Sequence, residues 1–246
     1  MRFKNIAPVV VIGLGVMGVT GLPAAVDDVP KQRAIVNNTE HFDLPPGVAL
    51  RLNNSIGQLT VEAWDEPGVE VATIKSSKVE LDAKERERAI EELGRVKITG
   101  ARHGDELVIQ SEYPKHPKIA RPFVGLTNFD LEYVVKVPRS TRLIVDHDIG
   151  QVFIDGMSGD ISATNHLGDV ELHLSADAQY DIDAKVKIGA VNSDFPGHEQ
   201  HRFLRLGHQF VHSGSPSPRK LYLRVGVGDV VVLKIHQPSA PAPVGR

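Results

Sequence analysis

Gly150-Gln151-Val152-Phe153-Ile154, Gly159-Asp160-Ile161-Ser162-Ala163 and Gly168-Asp169-Val170-Glu171-Leu172 repeat one phrase: a glycine, a polar or small residue, a β-branched residue, then alternation. The phrase returns at Gly189-Ala190-Val191 and at Gly228-Asp229-Val230-Val231-Val232, with an eroded copy at Gly207-His208-Gln209-Phe210. Counting that copy, Gly150, Gly168, Gly189, Gly207 and Gly228 are separated by 18, 21, 18 and 21 residues. Such spacing suits a solenoid, in which one coil cannot bury its apolar side and successive coils stack to share a core. Glycine supplies the positive φ of a sharp corner, and the β-branched residue returns the chain to extended geometry. The copy at Gly159 implies two strands per coil; an antiparallel meander with a glycine turn about every nine residues fits the same pattern.

Outward from this core the period stays near two. Val48-Ala49-Leu50-Arg51-Leu52, Leu59-Thr60-Val61-Glu62-Ala63, Val69-Glu70-Val71-Ala72-Thr73-Ile74 and Phe129-Asp130-Leu131-Glu132-Tyr133-Val134 alternate apolar with polar, as half-buried strands do. Val96 to Thr99 and Glu106 to Ile109 flank Gly104-Asp105 and predict a hairpin. One amphipathic helix is expected at 82–94. Asp82 with Glu85 forms a capping box, Ala83, Arg86, Ala89, Ile90 and Leu93 share a face, and Gly94 closes it. The fold class is therefore all-β, a β-solenoid or β-helix-like stack of short strands with that helix inserted.

The domain reading follows. Residues 1–25 form a signal peptide or N-terminal anchor: Arg2 and Lys4 precede the uncharged stretch Ile6 to Leu22, and Pro23-Ala24-Ala25 follow. Residues 26–45 are read as a linker. Residues 46–236 are the β domain, with strands and helix over 46–140 and glycine-corner coils over 141–236. Residues 237–246, containing Ala240-Pro241-Ala242-Pro243, are read as a disordered tail.

Within the first segment, Gly13-Leu14-Gly15-Val16-Met17-Gly18 matches the glycine pattern of dinucleotide sites. That motif needs a helix beginning at its glycines, and Val19-Thr20-Gly21-Leu22-Pro23 is poor helix material. No cofactor is expected. With no cysteine, disulfides, thiol nucleophiles, thiolate metal sites and an N-terminal lipidated cysteine are excluded. The net charge of -3 gives no field for phosphate backbones, so no nucleic-acid partner is expected.

Asn53-Asn54-Ser55-Ile56-Gly57-Gln58-Leu59-Thr60-Val61-Glu62-Ala63-Trp64-Asp65, followed by Val69-Glu70-Val71 and Lys75, resembles the opening of a bacterial exported adhesin-like β-strand repeat domain family of unknown function. Val137-Pro138 before Leu143 and the glycine phrases are similar to its second half, so that the likeness runs from about residue 46 to 235. The resemblance implies a β-solenoid-like fold in a secreted or envelope protein, with no catalytic residues to carry over. The stretch from His198 to Ser217 departs from the pattern.

The candidate chemistries are few. His198, His201, His208 and His212 are spaced as imidazoles that could hold zinc, copper or nickel, but solvated loop histidines are the default. Asp146 and Asp148, flanking His147, point the same way along a strand, suiting a calcium pair or an exposed polar edge, the latter favoured. Gly156-Met157-Ser158-Gly159 falls short of a nucleophile elbow. Tyr113 to Thr127, rich in proline and cations, reads as a surface connection rather than a ligand loop. No catalytic, cofactor-binding or metal-ligating residue is assigned. The expected function is non-catalytic: a periplasmic, cell-surface or secreted β protein offering a surface to an unknown macromolecular partner, touching membrane only through an uncleaved N-terminus. The alternatives are a polysaccharide-active β-helix enzyme, lyase or hydrolase, and a membrane-anchored periplasmic accessory or sensor subunit.

Overall fold

The computed structural model describes residues 30–113, 128–201, 207–213 and 219–235. The signal or anchor segment, its dinucleotide-like glycines, the proline-rich stretch after Tyr113 and the C-terminal tail lie outside the described residues. The described residues are mostly β, with one helix and two mixed sheets.

In chain order the elements begin with β1 (Ile35–Phe42), β2 (Ala49–Ile56), β3 (Gln58–Trp64), β4 (Val69–Ser77) and α1 (Ala83–Gly94). The hairpin β5 (Lys97–His103) and β6 (Glu106–Glu112) precedes β7 (Phe129–Pro138) and β8 (Leu143–Ile149). Next come β9 (Val152–Asp155), β10 (Ile161–Leu167), β11 (Val170–Ser175), β12 (Tyr180–Ile188) and β13 (Val191–Ser193). A second hairpin, β14 (His198–His201) and β15 (His208–His212), leads to β16 (Arg219–Val227) and β17 (Val230–Ile235).

One sheet runs β1-β4-β7-β3-β9-β11-β17-β13 and the other β14-β15-β12-β16-β10-β8-β2-β6-β5. Five times the chain leaves the nine-stranded sheet and enters the eight-stranded one through a corner of one or two residues that begins with a positive-φ glycine: Gly57, Gly150, Gly168, Gly189 and Gly228. The strands so joined pair in parallel within each sheet. Leu50, Val145, Ile161, Leu223 and Ala184 from one sheet and Val61, Ile154, Leu172 and Val232 from the other fill one shared core.

The corners are stacked backbone on backbone. Gly57 N donates to Ile149 O, Gly150 N to Leu167 O, Gly168 N to Val227 O and Gly228 N to Ile188 O, at 2.8–3.0 Å. Gly168 shows why no other residue serves: its φ is +126°, and a Cβ there would collide with Gly150 O.

The spatial order departs from a simple succession of coils. β16–β17 lies between β10–β11 and β12–β13, so the corners follow the order Gly57, Gly150, Gly168, Gly228, Gly189. Gly207 is no corner: it leads into β15, which runs antiparallel to β12 and, with β14, covers what would otherwise be an open parallel edge. The regular spacing that counted Gly207 was thus partly coincidental, and Gly57 takes the fifth place. Gly159 lies at the opposite end of the strands with no positive φ, where a Cβ would meet Thr141 O.

Two further expectations need correction. The segment read as linker contains β1, an edge strand paired with β4 over its full length. Its alternation is faint because only Val36 and Phe42 pack on the core. Helix α1 starts as expected, with Asp82 Oδ1 accepting from Glu85 N at 2.8 Å. Gly94 does not close it in a left-handed turn; Arg95 caps it in αR geometry. The buried Lys75 supplies the missing partner, donating from Nζ to Val96 O at 2.6 Å and Leu93 O at 3.3 Å. Burial pushes the Lys75 amine down from its ordinary value, against the opposing pull of Glu40. Only Ala89 and Leu93 of the expected face are buried, and Ile90 is exposed. The hairpin at Gly104-Asp105 forms as read, with Gly104 at φ +63°.

Candidate functional site

Alternation in each strand gives one residue to the core and the next to the outside, so every outward position lines up with its neighbours across the sheet. On the nine-stranded sheet one outward row reads Arg51, Ile144, Ser162, Tyr222, Asp183, and the next Asn53, Asp146, Thr164, Arg224, Lys185. Arg51 Nε donates to Glu106 Oε2 at 3.0 Å and Nη1 to Asp146 Oδ2 at 2.7 Å, tying three strands together. Arg224 Nη1 donates to Asp183 O at 2.7 Å and Nη2 to Asp183 Oδ2 at 2.6 Å. The same guanidinium lies over the Tyr222 ring, its Cζ 3.4 Å from the ring centroid, and Tyr222 is 46% exposed. An exposed aromatic and a cation fixed by Asp183 thus stand together on this face, with Ser162 and Thr164 on the neighbouring strand.

The outer face of the eight-stranded sheet is an ion-pair ribbon. Glu70 accepts from Lys136 Nζ at 2.9 Å and lies 3.0 Å from His41 Nε2. Lys136 holds the Glu70 carboxyl below its ordinary range. Farther along, His173 Nε2 sits 2.8 Å from Glu171 Oε1.

Behind the corners runs a buried polar row. The residue three before each corner glycine faces inward: Asn54, His147, Asn165, Val225 and Val186. Asn165 Nδ2 donates to Gly150 O at 2.8 Å and lies 3.3 Å from Asp169 O. Asn54 Oδ1 accepts from Ser111 Oγ at 2.7 Å. The Tyr113 hydroxyl beside it reaches Ile56 O at 3.0 Å and the Tyr133 hydroxyl at 2.9 Å. His147 is 1% exposed, and neither ring nitrogen makes a hydrogen bond of ordinary geometry. Burial pushes its pKa down, offset in part by the nearby backbone of Gly57 and Asn54, so the ring is neutral.

The residues singled out from sequence are dispersed. Asp146 and Asp148 both face outward, as their spacing requires, but they serve different neighbours: Asp146 holds Arg51 and Asp148 lies 3.2 Å from His166 Nδ1. His147 between them turns into the core. Of the histidines, His208 is buried with Nδ1 accepting from Val191 N at 2.9 Å, while the His212 ring packs against Phe195 at 6.0 Å. His198 pairs with Val211, and His201 with His208, across the hairpin. Among the described residues no group of three or more histidines and carboxylates is placed to hold a metal. Met157 is buried and Ser158 Oγ donates to Arg139 O at 3.2 Å, so that turn is structural.

Tyr222 and Arg224 were missed in the sequence. Their signal is an aromatic at an outward position two residues before an arginine in an alternating strand, too common to stand out. At the end opposite the glycine corners an open hollow of about 570 Å³ is lined by Trp64, Pro45, Pro46 and Pro67, with Trp64 Nε1 already donating to Gly68 O.

No protein-family model and no curated protein matches the chain. Among solved structures it is similar to a protein from Clostridium sporogenes provisionally described as a cell adhesion protein, at 14% identity and a TM-score of 0.50. That match covers 82% of this chain and all of the other, and it shows the fold. A protein from Bacteroides fragilis provisionally described as an adhesin matches at 10% identity and a TM-score of 0.25, over 81% of this chain and 97% of the other; nothing below rests on it. Among the described residues no helix is long and apolar enough to cross a membrane.

Proposed function

We propose that the chain is a non-catalytic cell-envelope β protein that binds a macromolecular partner through the outer face of its nine-stranded sheet, centred on Tyr222 and Arg224. The observation that carries this reading is the Arg224 guanidinium held over an exposed Tyr222 and pinned by Asp183, with Ser162 and Thr164 on the next strand. Pinned side chains lose little freedom on binding, and tyrosine and arginine are both enriched among the residues that anchor protein interfaces. The five corner-linked strand pairs are read as a short β-helix-like stack, whose virtue is a long rigid face. The adhesion described for the Clostridium sporogenes protein of like fold points the same way. A polysaccharide-active enzyme would need carboxylates converging on one bond. Here Asp146 and Asp148 serve different neighbours, Arg51 and His166, and converge on no common point.

The test is capture from the native envelope. Wild-type chain is expected to retain a partner that Tyr222→Ala loses by about thirtyfold, the scale of one interface anchor. Glu171→Ala, on the opposite sheet, should retain it. Equal capture by all three proteins, or recovery of the native chain in the cytosol, ends the proposal.

A further inference from the structure

The residue immediately before each corner glycine forms a second line. Ile56, Ile149, Leu167, Val227 and Ile188 are neighbours on five parallel strands, a continuous aliphatic ridge. At about 4.8 Å per strand it runs roughly 19 Å. Leu167 is 48% exposed, Val227 43% and Ile188 51%. Ile35 and Val79, 56% and 59% exposed, lie at the same end of the strands: Ile35 is opposite Ser76, Ser77 opposite Phe129, and Leu131 O lies against Gly57. Exposed aliphatics at one end of a water-facing β protein mark something that covers them.

The chain itself indicates what. The described residues begin at Pro30, beside β1, at this end. Before them stands the uncharged stretch Ile6 to Leu22, 17 residues, the short limit of a membrane span. Cleavage of an export signal needs small residues at the scissile position and two before it. Ala24 and Ala25 have Leu22 and Pro23 in those places. The eight residues from Pro23 to Pro30 span at most roughly 30 Å.

We infer that Ile6 to Leu22 is retained as a membrane anchor and that the aliphatic ridge rests on the lipid surface. The inference rests on the envelope reading above only for the presence of a bilayer. In this arrangement the corner end faces lipid and the Trp64 end faces away, with the outer faces of both sheets standing clear of the membrane. Lys31, Arg33, Lys78 and Lys187 share this end of the strands with Asp130, Asp148, Asp169 and Asp229, so the aliphatic ridge rather than net charge carries the contact.

The absence of cysteine makes the test direct. Full-length chain is reconstituted in vesicles of phosphatidylethanolamine and phosphatidylglycerol, with a nitroxide at Leu167→Cys, Val227→Cys or, at the opposite end, the exposed Ser140→Cys. Collision with oxygen relative to a water-soluble nickel chelate reports lipid contact. A ratio severalfold higher at the two ridge positions than at Ser140→Cys is expected. Three equally aqueous labels on vesicle-bound chain overturn the inference. So does spin–spin broadening at Leu167→Cys that vanishes on dilution with unlabelled chain, which would make a second copy the cover. Chain that fails to float with vesicles disproves the anchor. None of these outcomes touches the Tyr222 face, whose own test is capture.

Discussion

The side-chain amide of Asn165 donates to the carbonyl oxygen of Gly150 at 2.8 Å, so that one corner of the chain is held by a side chain from the strand beside it. Asn54 and His147 occupy the same place on the two preceding strands of the sheet. Within this row it is Asn165 that satisfies a backbone group withdrawn from water by the turn, inside the protein, where an unmade bond is costly.

His147 is the one titratable member, and its pKa is depressed by burial. As pH falls below the ordinary histidine value of 6.5, the unfolded chain takes up a proton that the folded chain refuses. Stability is therefore lost from there down to the folded value, at about 1.4 kcal/mol for each unit of depression, while above it the contribution is absent. Urea unfolding of wild type should show this acid-side loss. His147→Asn, which matches Asn54 and Asn165, should fold and show a flatter profile.

Substituting Gly168 by alanine should cost more than about 4 kcal/mol or prevent folding, since a strained φ is joined to overlap with the Gly150 carbonyl. Gly104→Ala, with positive φ but open space around it, should cost only about 1 kcal/mol. Thermal unfolding of the pair separates the effect of overlap from that of backbone conformation.

Lys75→Met keeps the length and apolar stem but leaves Leu93 O and Val96 O without the ammonium. A loss of about 2–4 kcal/mol is expected. Amide exchange should quicken first in the last turn of α1, ahead of β4, because the helix end loses its partner while the strand keeps its ladder.

Tyr133→Phe removes one hydroxyl from the cluster of Tyr113, Ser111 and Asn54, whose other bonds persist. The expected cost is about 1 kcal/mol with the fold unchanged, read by chemical denaturation. Asn54→Leu, which breaks the cluster at its centre and leaves Ser111 Oγ without its acceptor, should cost about twice as much.

The strands, the helix with its Asp82 cap and the Gly104 hairpin were legible because each is a local matter of period and turn chemistry. The corner at Gly150 was legible for the same reason. Spatial order was not. The phrase at Gly228 differs little from that at Gly168, so nothing in it says that β16 will lie between β10 and β12. Gly207 looked like a corner because glycine before alternation also begins an ordinary antiparallel strand. β1 escaped notice since an edge strand needs few apolar residues. The aliphatic ridge was readable throughout, as Ile, Ile, Leu, Ile and Val before five glycines, but its meaning depends on the neighbours that register supplies. Tyr222 and Arg224 are separated by one residue in sequence, and only the ring contact, the bond to Asp183 and the exposure give the pair its interest.

The insertion of β16–β17 bears on when the protein can finish folding. A polypeptide that emerges from its N-terminus onward delivers β10 and β12 early, yet each lacks the neighbour between them until Arg219 to Ile235 arrive. A chain made in that order therefore stays open at its centre until β16 and β17 arrive, and the closing event is the wedging of that strand pair into a gap already waiting for it.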